Sequence, residues 1–132
     1  REMLVEAIRA IKDDIDGDSV PLALGGFSQG AMLSMDTSLR GDIDPPNLLI
    51  LFSAMLICES KWQANLSARL ADTHVYQSHG KMDPVLPYAS AEQLSQRIQT
   101  AGIETEFHSF TGPHTIDAES IAKTAILLKQ LA

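Results

Sequence analysis

The sequence predicts an α/β fold, a mostly parallel sheet of about four strands with flanking helices. Three observations carry this. Short apolar runs alternate with longer stretches of helical periodicity, the pattern that builds strand-helix-strand crossovers. Leu48 to Phe52 is apolar at every position, as expected of a parallel strand buried on both faces. Leu22 to Leu24 runs through Gly25 and Gly26 to Ser28 and Gly30 and then into helix formers, which reads as strand, sharp turn, helix.

The elements follow in order. Glu2 to Lys12 places Leu4, Ala7, Ile8 and Ile11 on one face and reads as an amphipathic helix. Asp13 to Ser19 is an acidic turn. Its D-I-D-G-D-S resembles the start of a calcium loop, but the glycine is misplaced and Gly25 stands where the bidentate glutamate belongs, so the metal reading is rejected. Gly25 and Gly26 are expected to end the first strand, and Ala31, Met32, Leu33 and Met35 to form the next helix. Gly41 to Pro46 is a loop, Leu48 to Phe52 the second strand and Trp62 to Ala71 a short helix. His74 to Ser78 is a third strand, followed by a turn bracketed by Pro84 and Pro87. Pro87 suits the first turn of a helix whose apolar positions Ala91, Leu94, Ile98 and Ala101 end at Gly102. Thr105 to Phe110 alternates as a fourth strand. Asp117 to Leu131 is a last helix with Ile121, Ala125 and Leu128 on one side.

Bulk composition narrows the partners. Seventeen acidic against ten basic residues among 132 give a net charge of −7, a poor match to a phosphate backbone, so no nucleic acid is expected. The longest apolar stretch, Leu48 to Cys58 interrupted by Ser53, is too short for the ~20 residues of a membrane span. The lone Cys58 allows no intrachain disulfide and fits a reducing, cytoplasmic setting, with an inert, partly buried thiol expected. The chain opens at Arg1 directly into a helical pattern, and we expect a segment upstream of it.

The chemistry gathers at Ser28. Glycines two before and two after it let the backbone close without Cβ clashes, the steric reason for G-x-S-x-G at a strand-to-helix elbow. The Gln29 N–H, at the helix start, can then serve as one half of an oxyanion hole. A serine hydroxyl is a weak nucleophile and needs a base, and the base needs a partner that fixes its tautomer. His74 and His108 fall inside strands, where a satisfied structural imidazole is the expected role. His79, beside Gly80 at the end of the third strand, either shapes the loop or acts as base. His114 lies in the loop F-T-G-P-H-T after the fourth strand, where no strand pairing claims it. Asp83, in H-G-K-M-D-P-V-L-P, reads in isolation as a turn-forming aspartate before proline. Position favours more. In a parallel sheet the reactive crevice lies outside the carboxyl ends of the strands, and Ser28, Asp83 and His114 each follow a different strand. Asp72 and Asp117 are the rival acids, but the first precedes its strand and the second opens a helix as its N-cap.

Three stretches together carry a resemblance: G-G-F-S-Q-G-A-M at Gly25 to Met32, H-G-K-M-D-P-V-L-P at His79 to Pro87, and G-P-H at Gly112 to His114. In sequence and order they resemble the nucleophile, acid and histidine segments of the carboxylesterase, lysophospholipase and acyl-protein thioesterase group of α/β-hydrolases, over nearly the whole chain. Ala31 and Pro113 stand where that group usually has glycines, and neither change removes a reacting group. The resemblance implies that residues 1–132 are a single, N-terminally truncated domain, the C-terminal part of an α/β-hydrolase fold. It implies a serine hydrolase acting on a small-molecule acyl ester or thioester, with Ser28, Asp83 and His114 catalytic and no metal or organic cofactor. It further implies an upstream segment that carries the first strands and a loop supplying the second oxyanion donor. Without that segment the strand edge at Leu22 to Leu24 would be bare, so a preceding segment, a second chain or self-association is expected to cover it. A hydrolase of peptides or lactones would keep the triad and change the pocket, for which Leu56, Trp62, Met82, Val85 and Leu86 are candidate lining. The reading from another class is a non-catalytic or assembly-dependent fragment that lacks the complete oxyanion hole.

Overall fold

The computed structural model describes residues 1–17 and 19–132; Asp18, within the expected acidic turn, lies outside the described residues. The order is α1 (Glu2–Ile15), β1 (Ala23–Phe27), α2 (Gln29–Arg40), β2 (Leu48–Phe52), α3 (Glu59–Leu70), β3 (His74–Gly80), α4 (Tyr88–Thr100), β4 (Thr105–Phe110) and α5 (Ala118–Leu131). All strands are parallel and stand in the sheet in chain order, β1-β2-β3-β4. β1 is therefore an edge strand.

Alternation along β2 divides the interior into two layers. Leu49 and Leu51 join Val75 and the buried stripes of α2 (Ala31, Met35, Leu39), α3 (Trp62, Leu66, Leu70) and α4 (Leu94, Ile98). On the opposite face Leu48, Ile50 and Tyr76 meet Leu127 of α5, with Ala23, Phe52 and Leu131 at the margin. The first layer is covered by α2, α3 and α4 and the second by α5, while α1 meets α2 through Arg1 and Asp36.

Four expectations are corrected by packing. The glycines do not end β1, because the strand runs on through Gly25, Gly26 and Phe27 in register with Ile50, Leu51 and Phe52. They are needed for close approach: a Cβ on Gly25 would sit 2.8 Å from Ile50 Cβ, and one on Gly26 would sit 2.5 Å from the Gly30 carbonyl carbon. Gly30 itself would meet nothing within 4 Å, so its part in the elbow is not steric. Gly30→Ala should accordingly leave activity intact and raise stability by about 0.5–1 kcal/mol through the lower entropy cost of alanine in a helix; a thermal melt measures it. In α1 the buried positions are Val5 and Ile8, whereas Ile11 is exposed. In α5 the buried positions are Ser120 and Leu127, and Ile121 and Leu128 face outward. Asp117 caps α5 by accepting from the Ser120 N–H at 3.1 Å, which fixes the rotation of the helix with Ser120 inward.

The exposed apolar residues have a pattern. Ile11, Ile15 and Val20 border a trough of about 220 Å³ beside the free edge of β1, floored by Ile8, Leu22 and Ala23. Among the described residues no helix is long and apolar enough to cross a membrane.

Candidate active site

Ser28 joins β1 to α2 at a strained point of the backbone. Its φ of 56° and ψ of −118° lie where side-chain-bearing residues rarely sit, at a cost of about 1–3 kcal/mol. The elbow is held from both sides: Ser28 N–H donates to the Phe52 carbonyl at 2.8 Å, and its own carbonyl accepts from Ala31 and Met32. Gln29 heads α2, where an N–H has no partner inside the helix.

Asp83 follows β3 with its side chain fully buried. Oδ1 accepts from the N–H groups of Val85 and Leu86, each at 2.8 Å, and this turn leaves Oδ2 to accept from His114 Nδ1 at 2.6 Å. A carboxylate can only accept, so Nδ1 carries the ring proton and Nε2 presents a lone pair. The Ser28 hydroxyl donates to it at 2.9 Å. The structure thus joins the three predicted side chains in one chain of hydrogen bonds.

The histidine arrives by an unusual route. His114 follows β4, at the far edge of the sheet from β1, and its loop returns across the carboxyl ends of the strands. Over β3 it rests on Gly80, where a Cβ would lie 2.3 Å from the carbonyl oxygens of both Gly112 and Pro113. Met82 N–H donates to the Gly112 carbonyl at 3.0 Å. Over β2 the Ser53 hydroxyl reaches toward the Thr115 carbonyl at 3.5 Å, and over β1 the Phe27 ring lies 4.7 Å from the imidazole, centroid to centroid. Gly80→Ala must push this loop away. A displacement of about 1 Å lowers kcat on the order of 10²-fold, and steady-state kinetics of that variant against Gly30→Ala checks it.

The other candidates fall elsewhere. His74 pairs with Glu104 and Glu106, and His108 donates to Asp117 at 2.9 Å, both as structural imidazoles. His79 is the penultimate residue of β3, beside Gly80 as expected, and is fully buried, with Nε2 2.8 Å from the Leu86 carbonyl. Asp72 is exposed in the turn before β3. Of the proposed lining, Trp62 is wholly buried and donates to Asp36, so it belongs to the core, while Met82 and Val85 stand exposed beside Asp83. Cys58 is exposed rather than partly buried, because it caps α3 with a positive φ of 46°. Among the described residues one group could hold a metal ion, His108, Asp117 and Glu119, with ligand atoms within 4.8 Å of one another. Its members are already engaged with each other and with the α5 cap. Sequence reasoning missed Phe27 and Ser53 as supports, since their contacts arise only when the loop folds back.

Burial alone would raise the Asp83 pKa, but the N–H of Leu86, then His114 and the N–H of Val85, outweigh it and hold the carboxyl below the usual range. Asp36, Glu106 and Asp117 are lowered in the same way, against burial, by hydrogen bonds from Trp62 and Arg40, from His74 and Lys123, and from Ser120 and His108. A carboxyl whose folded value lies below its unfolded value of about 4 stabilises the fold fully above that pH and loses the contribution as pH falls through the folded value. Melting temperature should therefore hold level above about pH 5 and drop steeply below about pH 4. Circular dichroism melts across that window check it.

With this geometry in view, comparison with known proteins gives the lineage. The profile of the Phospholipase/Carboxylesterase family matches residues 4–131. The chain belongs to that family. Acyl-protein thioesterase 1 of Debaryomyces hansenii is 32% identical over 117 residues, covering 85% of this chain and 50% of the relative. The crystal structure of esterase PE8 superposes with a TM-score of 0.69 at 29% identity, covering 83% of this chain and 50% of that one. An uncharacterized Bacillus cereus protein superposes with a TM-score of 0.84 at 24% identity, over 98% of this chain and 42% of its own, a likeness of fold. The chain spans about half the length of the curated relatives it matches. The fold is that of the α/β-hydrolases, and the family is one of hydrolases.

Proposed function

We propose that this member of the phospholipase/carboxylesterase family is a serine hydrolase that cleaves carboxylic esters or thioesters through an acyl-enzyme intermediate. The relay from Ser28 to His114 at 2.9 Å and on to Asp83 at 2.6 Å carries the reading. His114 Nε2 takes the hydroxyl proton as Ser28 Oγ attacks the acyl carbonyl, and the Gln29 N–H holds the oxyanion. Collapse of the tetrahedral intermediate expels the alcohol or thiol, which receives the proton from Nε2. Water then attacks the acyl-serine by the same relay, releasing the acid. Asp83 stays ionised and steadies the imidazolium. The likeness to acyl-protein thioesterase 1 and to an esterase favours an acyl substrate of short or medium chain, and the exposed thiol of Cys58 suits a cytoplasmic setting.

A fluorophosphonate probe tests this. Intact and peptide mass spectrometry should place one adduct on Ser28, and none should form on Ser28→Ala. An adduct elsewhere overturns the assignment.

The free edge of β1 and its apolar trough support a second part of the reading, that an upstream segment, a second chain or another copy completes the sheet and supplies the other oxyanion donor. One missing donor costs about 10²- to 10³-fold in kcat. Hydrolysis of p-nitrophenyl esters should rise when an upstream segment is present. A monodisperse monomer of these 132 residues with exchange-protected β1 amides would refute the covering.

A further inference from the structure

His79 stands out because the proposed reaction gives it no task, yet the protein buries it completely between the acid and the strand. Its Nε2 lies 2.8 Å from the Leu86 carbonyl, which only accepts, so Nε2 carries the proton and Nδ1 is left with a bare lone pair. Among the described residues that Nδ1 has no hydrogen-bond partner. An unsatisfied buried acceptor costs about 1–3 kcal/mol, which an apolar side chain of the same size would avoid. Volume filling is therefore a poor account of an imidazole here.

The same Nε2–H lies 3.3 Å from Asp83 Oδ2, the oxygen that receives His114. The acid thus sits between two imidazoles. The first part of its loop is held by backbone bonds, Met82 N–H to the Gly112 carbonyl and Asp83 N–H to the Gly80 carbonyl, while the side chains of Met82 and Val85 are largely exposed at 67% and 61%. What anchors the loop from below is the bond from His79 to Leu86, and Leu86 in turn donates its N–H to Asp83 Oδ1.

We propose that His79 is a positioning residue for the reaction at Ser28: through its Nε2–H it ties the Leu86 end of the acid loop to β3 and fixes the Asp83 carboxylate in the orientation that His114 requires. This rests on the hydrolase reading above. It concerns geometry rather than bond making, because His79 touches neither the serine nor a substrate position.

The test uses three variants in the intact protein. His79→Gln can place an amide N–H near the Nε2 position. His79→Asn places one near Nδ1, where nothing accepts, and His79→Phe keeps a ring with no donor. The expected result is a kcat lowered on the order of 10- to 100-fold in the Asn and Phe variants, as a misplacement approaching 1 Å would give, with KM within about twofold and most activity restored in Gln. The far-downfield proton resonance of the His114–Asp83 hydrogen bond should broaden or move in Asn and Phe and persist in Gln. Wild-type kcat and an unmoved resonance in the Phe variant would overturn the inference, as would equal losses in all three variants. Nitrogen-15 spectra of the unmutated protein give a check independent of variant folding: an Nε2–H tautomer at His79 supports the inference and an Nδ1–H tautomer refutes it. If the unmutated protein fails to label at Ser28, the hydrolase reading falls, while the resonance and tautomer still decide the role of His79.

Discussion

Ser28→Ala should lower kcat for ester hydrolysis on the order of 10⁶-fold, because on the proposed mechanism the hydroxyl is the one group of the relay that bonds to substrate. The loss should be nearly the whole cost of the machinery. His114→Ala should be about as severe, and the double variant scarcely worse than either, since a nucleophile without its base and a base without its nucleophile are equally idle. Stability should hardly change. Ser28 is held at φ 56°, and alanine there tolerates the strain no better, but the fold is retained because the Ser28 N–H and carbonyl bonds to Phe52, Ala31 and Met32 are backbone bonds. A melt close to that of the unmutated protein, beside an abolished rate, would separate chemistry from folding. Additive losses in the double variant would mean that the two side chains act independently, and the relay would have to be abandoned.

Asp83→Asn is expected to cost about 10⁴-fold in kcat. The backbone N–H groups of Val85 and Leu86 claim the amide oxygen, which turns the NH₂ toward His114. Nδ1 must then accept, the ring proton moves to Nε2, and the lone pair that should receive the serine proton is gone. Burial makes this sharp: the Asp83 side chain is fully enclosed, so no solvent offers the ring another partner. Asp117→Asn is the matched control. It also faces an imidazole, His108, yet lies outside the relay, and asparagine caps a helix as well as aspartate does, so it should cost little stability and leave kcat unchanged. Comparable kinetic losses in the two variants would show that imidazole-carboxylate pairing in general, and not this pair, governs the rate.

The strands were legible because parallel strands covered on both faces are written as apolar runs, and Leu48 to Phe52 matched its bounds residue for residue. Glycine misled where its meaning is three-dimensional. Gly25 and Gly26 read as a stop, and only the pairing with Ile50 and the pressure of Gly30 show why a strand would carry them. The last helix was found, but its buried face does not follow the apolar row Ile121, Ala125 and Leu128, since a capping aspartate and Ser120, both polar, set its rotation. At the site, the order of serine, acid and histidine was readable from the loops that follow each strand. The supporting contacts were not, because Gly80 under Gly112, Ser53 under Thr115 and His79 under Leu86 meet through space, and the quoted stretches do not say which of their residues touch.

The sequential order of the sheet has a consequence for biosynthesis. A nascent chain can pair each strand with the one made just before it, so β1, β2 and β3 can assemble while later residues are still within the ribosome. The serine is in place early, but its base comes from the loop after the final strand and must reach back over all the others. On the proposed mechanism, partly synthesised molecules therefore carry a fold without a reactive hydroxyl until the loop after β4 has been made.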